Sequence, residues 1–124
     1  MLKKFARRFY HARHGLYYAL THDESFRQQI LLGLVVITLL ISLLFPLTVH
    51  DALFLFLAWF MIMITELQNS AIEAALDRLH PELHDSIKQS KDMAAGAVLL
   101  AGLFLLLVVG TITYTRFLAP LLGW

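Results

Sequence analysis

The stretch "MIMITELQNSAIEAALDRLH", residues 61–80, is the most informative part of the sequence, because it begins as apolar membrane sequence and then turns acidic. Glu66, Asn69, Glu73 and Asp77 follow one another at intervals of three or four residues. An α-helix turns by about 100° per residue, so these intervals place all four side chains on one face. Acidic groups are costly at the edge of a bilayer, and a functional role is therefore expected for Glu66.

The composition is that of a membrane protein. The chain has 124 residues, of which 59% are hydrophobic, and its mean hydropathy is +0.69. A soluble domain of this length has too little core to bury so much apolar sequence. The net charge of +1 does not suggest nucleic-acid binding, and the absence of cysteine excludes disulfides and thiolate chemistry. A single domain, residues 1–124, is expected.

Three segments are long and apolar enough to cross a bilayer, which predicts an all-α membrane protein. These are residues 30–47, 52–79 and 87–118, and the second continues past its apolar part into the acidic stretch. Residues 1–29 alternate basic and apolar side chains, a pattern typical of an amphipathic helix on the membrane surface, followed by a lead-in to the first span.

The expected ends of these helices follow from local signals. Pro46 closes the first span, and Asp51 is expected to cap the start of the second. Ser86 followed by Gln89 predicts a capping box at the start of the third span.

The distribution of Lys and Arg predicts the orientation. Basic residues are concentrated before the first span and between the second and third, whereas the C-terminal end has only Arg116. The N-terminus and the second link are therefore expected on the cytoplasmic side of the membrane, in a multi-pass protein.

The acidic face needs basic partners, a bound cation, protonation or a water-filled cleft. A surplus of carboxylates beside an amide suits a hard divalent cation such as Mg²⁺. For Asp77 and Arg78 we expect only a solvated helix end with ion pairs. Three spans make a thin bundle, so an oligomer with sites between subunits is expected.

Residues 64–100 carry a family resemblance. The pattern E-x-x-N-[ST]-A-I-E-x-x-x-D at residues 66–77 and the "KDMA" segment at 91–94 resemble the small membrane-integral diacylglycerol kinases of bacteria, a family that includes undecaprenol kinases. The resemblance extends through "HDESFRQQ", residues 22–29, and the three-span plan.

The resemblance implies transfer of the ATP γ-phosphate to a lipid hydroxyl with Mg²⁺, by a homotrimer of three-span protomers. It makes Glu66 the general base and Glu73 a ligand of the metal that holds ATP. It assigns the rest of the nucleotide and phosphate site to Asn69, Lys91 and Asp92, with Glu82, Leu83 and His84 lining the nucleotide.

The resemblance also concerns the N-terminal part of the chain. The family has a metal-binding Glu three residues before a Phe-Arg pair, where this chain has Asp23, with Glu24 adjacent. Asp23 is assigned to the metal and ATP, although either carboxylate could serve. The lipid substrate is assigned to Lys4, Ser25, Phe26, Arg27 and Gln28.

The resulting hypothesis is an ATP- and Mg²⁺-dependent lipid kinase that converts diacylglycerol to phosphatidic acid. The alternatives are an undecaprenol kinase, or a non-enzymatic membrane oligomer whose acidic face binds a cation. The sequence has no P-loop, so the phosphates must be held in another way.

Overall fold

The computed structural model describes residues 2–79, 82 and 84–123, with only the backbone of residues 2 and 3. It contains four long helices: α1 (Leu2–His22), α2 (Glu24–Leu43), α3 (Val49–Leu79) and α4 (Asp85–Thr113). A π-helical segment, Tyr114–Leu118, and a last α-helical turn, Ala119–Leu121, continue α4. The part of the chain described here has no strand, and the all-α prediction is confirmed.

The prediction of three membrane-spanning helices is also confirmed. α2, α3 and the continuous helix Asp85–Leu121 are long and apolar enough to cross a membrane. The 31 residues of α3 measure roughly 46 Å at about 1.5 Å per residue, against a hydrocarbon thickness of about 30 Å. One end of α3 therefore projects well beyond the hydrocarbon.

The start of α3 differs in detail from the expectation. Asp51 is not the capping residue, because the helix already begins at Val49. The Thr48 backbone N–H donates to Asp51 Oδ2 over 3.0 Å, and the Asp51 N–H donates to Thr48 Oγ1 over 3.2 Å. Thr48 is thus the cap, and Asp51 is its reciprocal partner inside the first turn.

The other helix ends are shifted as well. α2 ends at Leu43, before Pro46 and short of the predicted limit at residue 47. α4 begins at Asp85, so Ser86 lies inside the helix and the capping box expected there is wrong. His84 occupies the cap position without a side-chain cap hydrogen bond.

The hydrophobic core lies between α2, α3 and α4, in the half of the bundle away from the acidic face. It is formed by Ile37, Leu44, Leu55, Ala58, Val108 and Ile112. α3 packs most extensively against α4 and next against α2, while α1 contacts α2. Many large apolar side chains outside this core are exposed on the protomer, as expected for helices that face lipid or other subunits.

A polar contact joins the helices at the end of the bundle away from the acidic face. The π-helical segment carries Arg116, whose Nη2 donates to Asp51 Oδ2 over 2.6 Å. Arg116 Nη1 also donates to the carbonyl of Pro46. These bonds join the end of the last span to the link between α2 and α3.

Candidate active site

The Glu66 carboxylate is the buried acidic group of the described chain. Glu66 is only 5% exposed, and the Ser25 hydroxyl donates to its Oε1 over 2.5 Å. At about 1.5 Å per residue, Glu66 lies roughly 26 Å along α3 from Val49, near the edge of a hydrocarbon layer about 30 Å thick. A carboxylate in this position can accept a proton from a hydroxyl presented by a lipid headgroup.

The start of α2 holds Ser25 against α3. Asp23 caps α2, because its Oδ1 accepts the backbone N–H of Phe26 over 3.0 Å. The Phe26 side chain is 2% exposed and anchors this first turn in the bundle. Ser25, between the cap and the anchor, therefore has a well-defined position facing Glu66.

Asn69 and Glu73 follow Glu66 along the same face of α3, and both are half-buried. The Asn69 Oδ1 atom is buried and has no hydrogen-bond partner among residues 2–79, 82 and 84–123. A buried amide oxygen without a partner is costly, so an additional donor or cation is expected there. Together with the Glu73 carboxylate, it offers the hard oxygen ligands that Mg²⁺ prefers.

No preformed metal cage occurs in the described residues, since no three His, Asp or Glu side chains come together as a cation site there. Mg²⁺ in kinases is commonly held by one or two carboxylates together with substrate phosphates. One oxygen of Asp23 is used as the helix cap, which leaves its second oxygen for a ligand.

Asp77 and Lys91 connect α3 to α4, one helical turn beyond Glu73 along α3. Lys91 Nζ lies 2.5 Å from Asp77 Oδ1. The expectation that Asp77 takes part in an ion pair is confirmed, and the partner is the lysine assigned to the phosphates. Asp92, the next residue, is exposed.

A cleft of about 650 Å³ separates α1 from α3. Its walls are mainly apolar and include Ala12, Leu16 and Ala19 from α1 and Leu67 and Ala71 from α3. Asp23 and Ser70 also line it. The cleft therefore combines mainly apolar walls with the polar side chains of Asp23 and Ser70.

The remaining predicted site residues are dispersed over the surface. Lys4 is exposed on α1, the Arg27 Nη1 donates to the Thr21 carbonyl over 3.3 Å, and Gln28 donates to Glu24 over 3.3 Å. Glu82 and His84 are exposed, with 4.0 Å between Glu82 Oε2 and His84 Nε2. Leu83 lies outside the described residues. Within one protomer the described members of this set are not brought together, and the roles of all of them stay predictions.

Sequence reasoning missed two contacts. The bond between the Ser25 hydroxyl and Glu66 is one of them, and the predicted contact of Ser25 with the lipid stays a prediction. The Asp51–Arg116 pair was not foreseen, although each is the sole acidic or basic residue in its segment and the predicted topology puts both on the same side of the membrane. Their predicted location on the same side of the membrane could have indicated the pair.

Comparisons with known proteins agree with the resemblance. A family model described as prokaryotic diacylglycerol kinase matches residues 10–113. A diacylglycerol kinase of Helicobacter pylori is 33% identical over 111 residues, covering 87% of this chain and 83% of that protein. One of Pseudomonas aeruginosa is 33% identical over 104 residues, covering 84% and 79%. One of Escherichia coli is 43% identical over 54 residues, covering 44% and 40%. The similarity thus runs from α1 to the end of α4.

Proposed function

The chain belongs to the prokaryotic diacylglycerol kinase family, and we propose that it phosphorylates diacylglycerol to phosphatidic acid with ATP and Mg²⁺. In this reaction the lipid hydroxyl oxygen forms a bond to the γ-phosphorus, the bond from that phosphorus to the β–γ bridging oxygen breaks, and ADP leaves. The observation that carries the proposal is the buried Glu66 carboxylate, on one helix face with Asn69 and Glu73.

Glu66 acts as the general base. Its carboxylate accepts the proton of the lipid hydroxyl as the new O–P bond forms. Burial at the membrane edge supports this role, because a headgroup hydroxyl reaches that depth whereas bulk water is largely excluded. Phosphoryl transfer depends mainly on such positioning and on neutralisation of charge.

Glu73, Asn69 and Asp23 hold the metal and the ATP phosphates. The Asn69 oxygen, which has no partner among the described residues, the half-buried Glu73 carboxylate and the second oxygen of Asp23 are the hard donors that would close around the metal when it binds with ATP. Mg²⁺, when bound with ATP, neutralises charge on the β- and γ-phosphates. Glu73 lies about 10 Å further along α3 than Glu66, towards the cytosol from which ATP arrives.

The nucleotide and phosphate contacts come from the link to α4 and its first turns. Lys91 lies on α4 beside the acidic face and supplies positive charge for the transferring phosphate. Asp92 completes the phosphate site, while Glu82, Leu83 and His84 line the nucleotide. Glu82, His84 and Asp92 are exposed on the protomer, which supports a homotrimer with sites between subunits.

The lipid enters along the cleft between α1 and α3. Its apolar walls suit acyl chains, and Asp23 marks its polar side near the reacting hydroxyl. Lys4, Arg27 and Gln28 contact the headgroup, and the buried Phe26 holds the first turn of α2 in place beneath them. An open apolar cleft also admits a polyprenol, so undecaprenol is the alternative substrate. Membership of a kinase family sets aside the non-enzymatic oligomer.

The predicted orientation places this site on the cytoplasmic side of the inner membrane. The Lys and Arg residues before α2 and between α3 and α4 support that placement.

The test is a transfer assay with purified protein, radiolabelled ATP and Mg²⁺ in mixed micelles. Diacylglycerol and undecaprenol are offered in parallel, and Glu66→Gln serves as the control. Label in phosphatidic acid, absent with the control, supports the proposal. Label only in undecaprenyl phosphate selects the alternative, and label in neither lipid from an assembled oligomer contradicts both.

A further inference from the structure

We propose that Ser25 is a positioning residue for the general base: its hydroxyl holds the Glu66 carboxylate in the orientation that accepts the proton of the lipid. This inference rests on the proposed function, and it gives Ser25 a role different from the substrate contact predicted from the sequence. The hydrogen bond between Ser25 Oγ and Glu66 Oε1 joins α2 to α3 across 41 residues of sequence.

The direction of this bond matters. An ionised carboxylate only accepts hydrogen bonds, so Ser25 is the donor. The carboxylate has two oxygens with about four acceptor positions in total, and Ser25 occupies one of them on Oε1. Oε2 is left to accept the proton of a substrate hydroxyl.

The burial of Glu66 makes the Ser25 hydrogen bond important for the orientation of the carboxylate. Glu66 is 95% shielded from solvent, so water contributes little to fixing its side chain. A hydrogen bond to a charged group is stronger than one between neutral groups, and more so where the surroundings are apolar. Without the Ser25 hydroxyl, Glu66 loses the hydrogen bond that selects one combination of its three side-chain torsion angles.

Ser25 is itself held firmly enough to do this. Asp23, two positions before it, caps α2, and Phe26, the residue after it, is buried between the helices. The Ser25 backbone thus lies in a capped and anchored helical turn. A group that positions a catalytic residue needs such support, because an error of about 1 Å at the reacting atoms costs up to about 100-fold in rate.

The reaction moves one proton, that of the lipid hydroxyl. The lipid hydroxyl gives its proton to Glu66 Oε2 as its oxygen bonds to the γ-phosphorus, and ADP departs with the bridging oxygen. Ser25 keeps its own proton and donates its hydrogen bond to Oε1 throughout.

The experiment compares Ser25→Ala and Ser25→Thr in the full-length protein, with turnover expressed per assembled oligomer. We expect Ser25→Ala to lower kcat by about 10- to 100-fold while the KM values for ATP and lipid stay within about twofold. Ser25→Thr keeps a hydroxyl and is expected to recover most of kcat. Ser42→Ala is the matched control, because the Ser42 hydroxyl donates within α2, to the Thr38 carbonyl.

A double-variant cycle provides the second reading. If Ser25 acts through Glu66, then Ser25→Ala added to Glu66→Gln lowers the residual rate no further. An additional loss of the same size as in the parent protein would overturn the inference, because Ser25 would then act independently of the base.

Three other results would also overturn it while leaving the proposed function in place. A lower melting temperature with unchanged kcat would mean that Ser25 only tethers α2 to α3. A raised lipid KM with unchanged kcat would make it a substrate contact. Label transferred to Ser25 itself would make its hydroxyl an acceptor. By contrast, full turnover in Glu66→Gln would remove Glu66 as the base and this inference with it, whereas no lipid phosphorylation by the unaltered protein would remove the proposed function.

Discussion

Lys91 of α4 and Asp77 of α3 form an ion pair, with Nζ 2.5 Å from Oδ1. The Asp77 side chain is 64% exposed and that of Lys91 is 26% exposed. Ion pairs as accessible as this stabilise proteins by about 0–1 kcal/mol, because water screens the charges. The pair therefore adds little to the stability of the fold, and we expect the charge of Lys91 to serve the phosphate site whether or not Asp77 is present.

Asp77→Asn and Lys91→Met are expected to separate these roles. Lys91→Met should lower kcat by about 100-fold or more, because it removes a charge that stabilises the transferring phosphate. Asp77→Asn should leave kcat within about threefold. Steady-state rates at saturating ATP and lipid measure both, and equal losses in the two variants would show that the pair matters only as a unit.

Asp51→Asn and Arg116→Met are expected to destabilise the protein without affecting the kinetic constants. Arg116 joins the end of the last span to the start of α3 through Asp51. The Arg116 side chain is 23% exposed and that of Asp51 is 22% exposed. Loss of a charge-assisted bond in such surroundings costs about 1–3 kcal/mol. Thermal unfolding in detergent measures this cost. The double variant should be no less stable than Arg116→Met alone, and simple addition of the two losses would contradict direct pairing.

Gly33→Ala is expected to disturb the packing of α2 against α3. A Cβ atom at Gly33 would overlap the Trp59 indole, whereas one at Gly110 would meet nothing within 4 Å. Gly33→Ala should therefore lower the melting temperature, although alanine is the better helix former by about 0.5–1 kcal/mol. Gly110→Ala is the matched control. An increase in stability at position 33 would mean that the two helices do not approach so closely.

Asp23→Ser is expected to weaken Mg²⁺ binding while keeping the helix cap. Serine caps helices about as well as aspartate but brings no carboxylate. The Mg²⁺ concentration needed for half-maximal activity should rise by about tenfold or more, with little change in melting temperature. Glu24→Gln is the control for the neighbouring carboxylate. If only Glu24→Gln changes the Mg²⁺ dependence, the metal ligand is Glu24.

The helices and the acidic face of α3 were predictable from the sequence. Long apolar runs require helices in a bilayer, and the spacing of Glu66, Asn69 and Glu73 follows from the helical repeat. The placement of helix ends was less accurate, since Asp51 looks like a cap but serves as the partner of Thr48. Either residue of a capping box fits the same local pattern.

Contacts between helices were not predictable, because periodicity does not specify which residues of two helices meet. Ser25 and Glu66 are 41 positions apart, and Asp51 and Arg116 are 65 apart. The Gly33–Trp59 approach likewise depends on how α2 and α3 are rotated about their axes. Hence the sequence indicated Glu66 as the candidate base, while only the structure indicated what holds it.

The most direct test of the account is the turnover of Glu66→Gln. Glutamine keeps the size of the side chain and can still receive the Ser25 hydrogen bond, but it cannot act as a base at neutral pH. We predict that kcat falls by about 100- to 10,000-fold, while oligomer size and melting temperature are retained. Turnover within a few-fold of the unaltered protein, from an oligomer of normal size, would contradict the assignment of Glu66 as the general base.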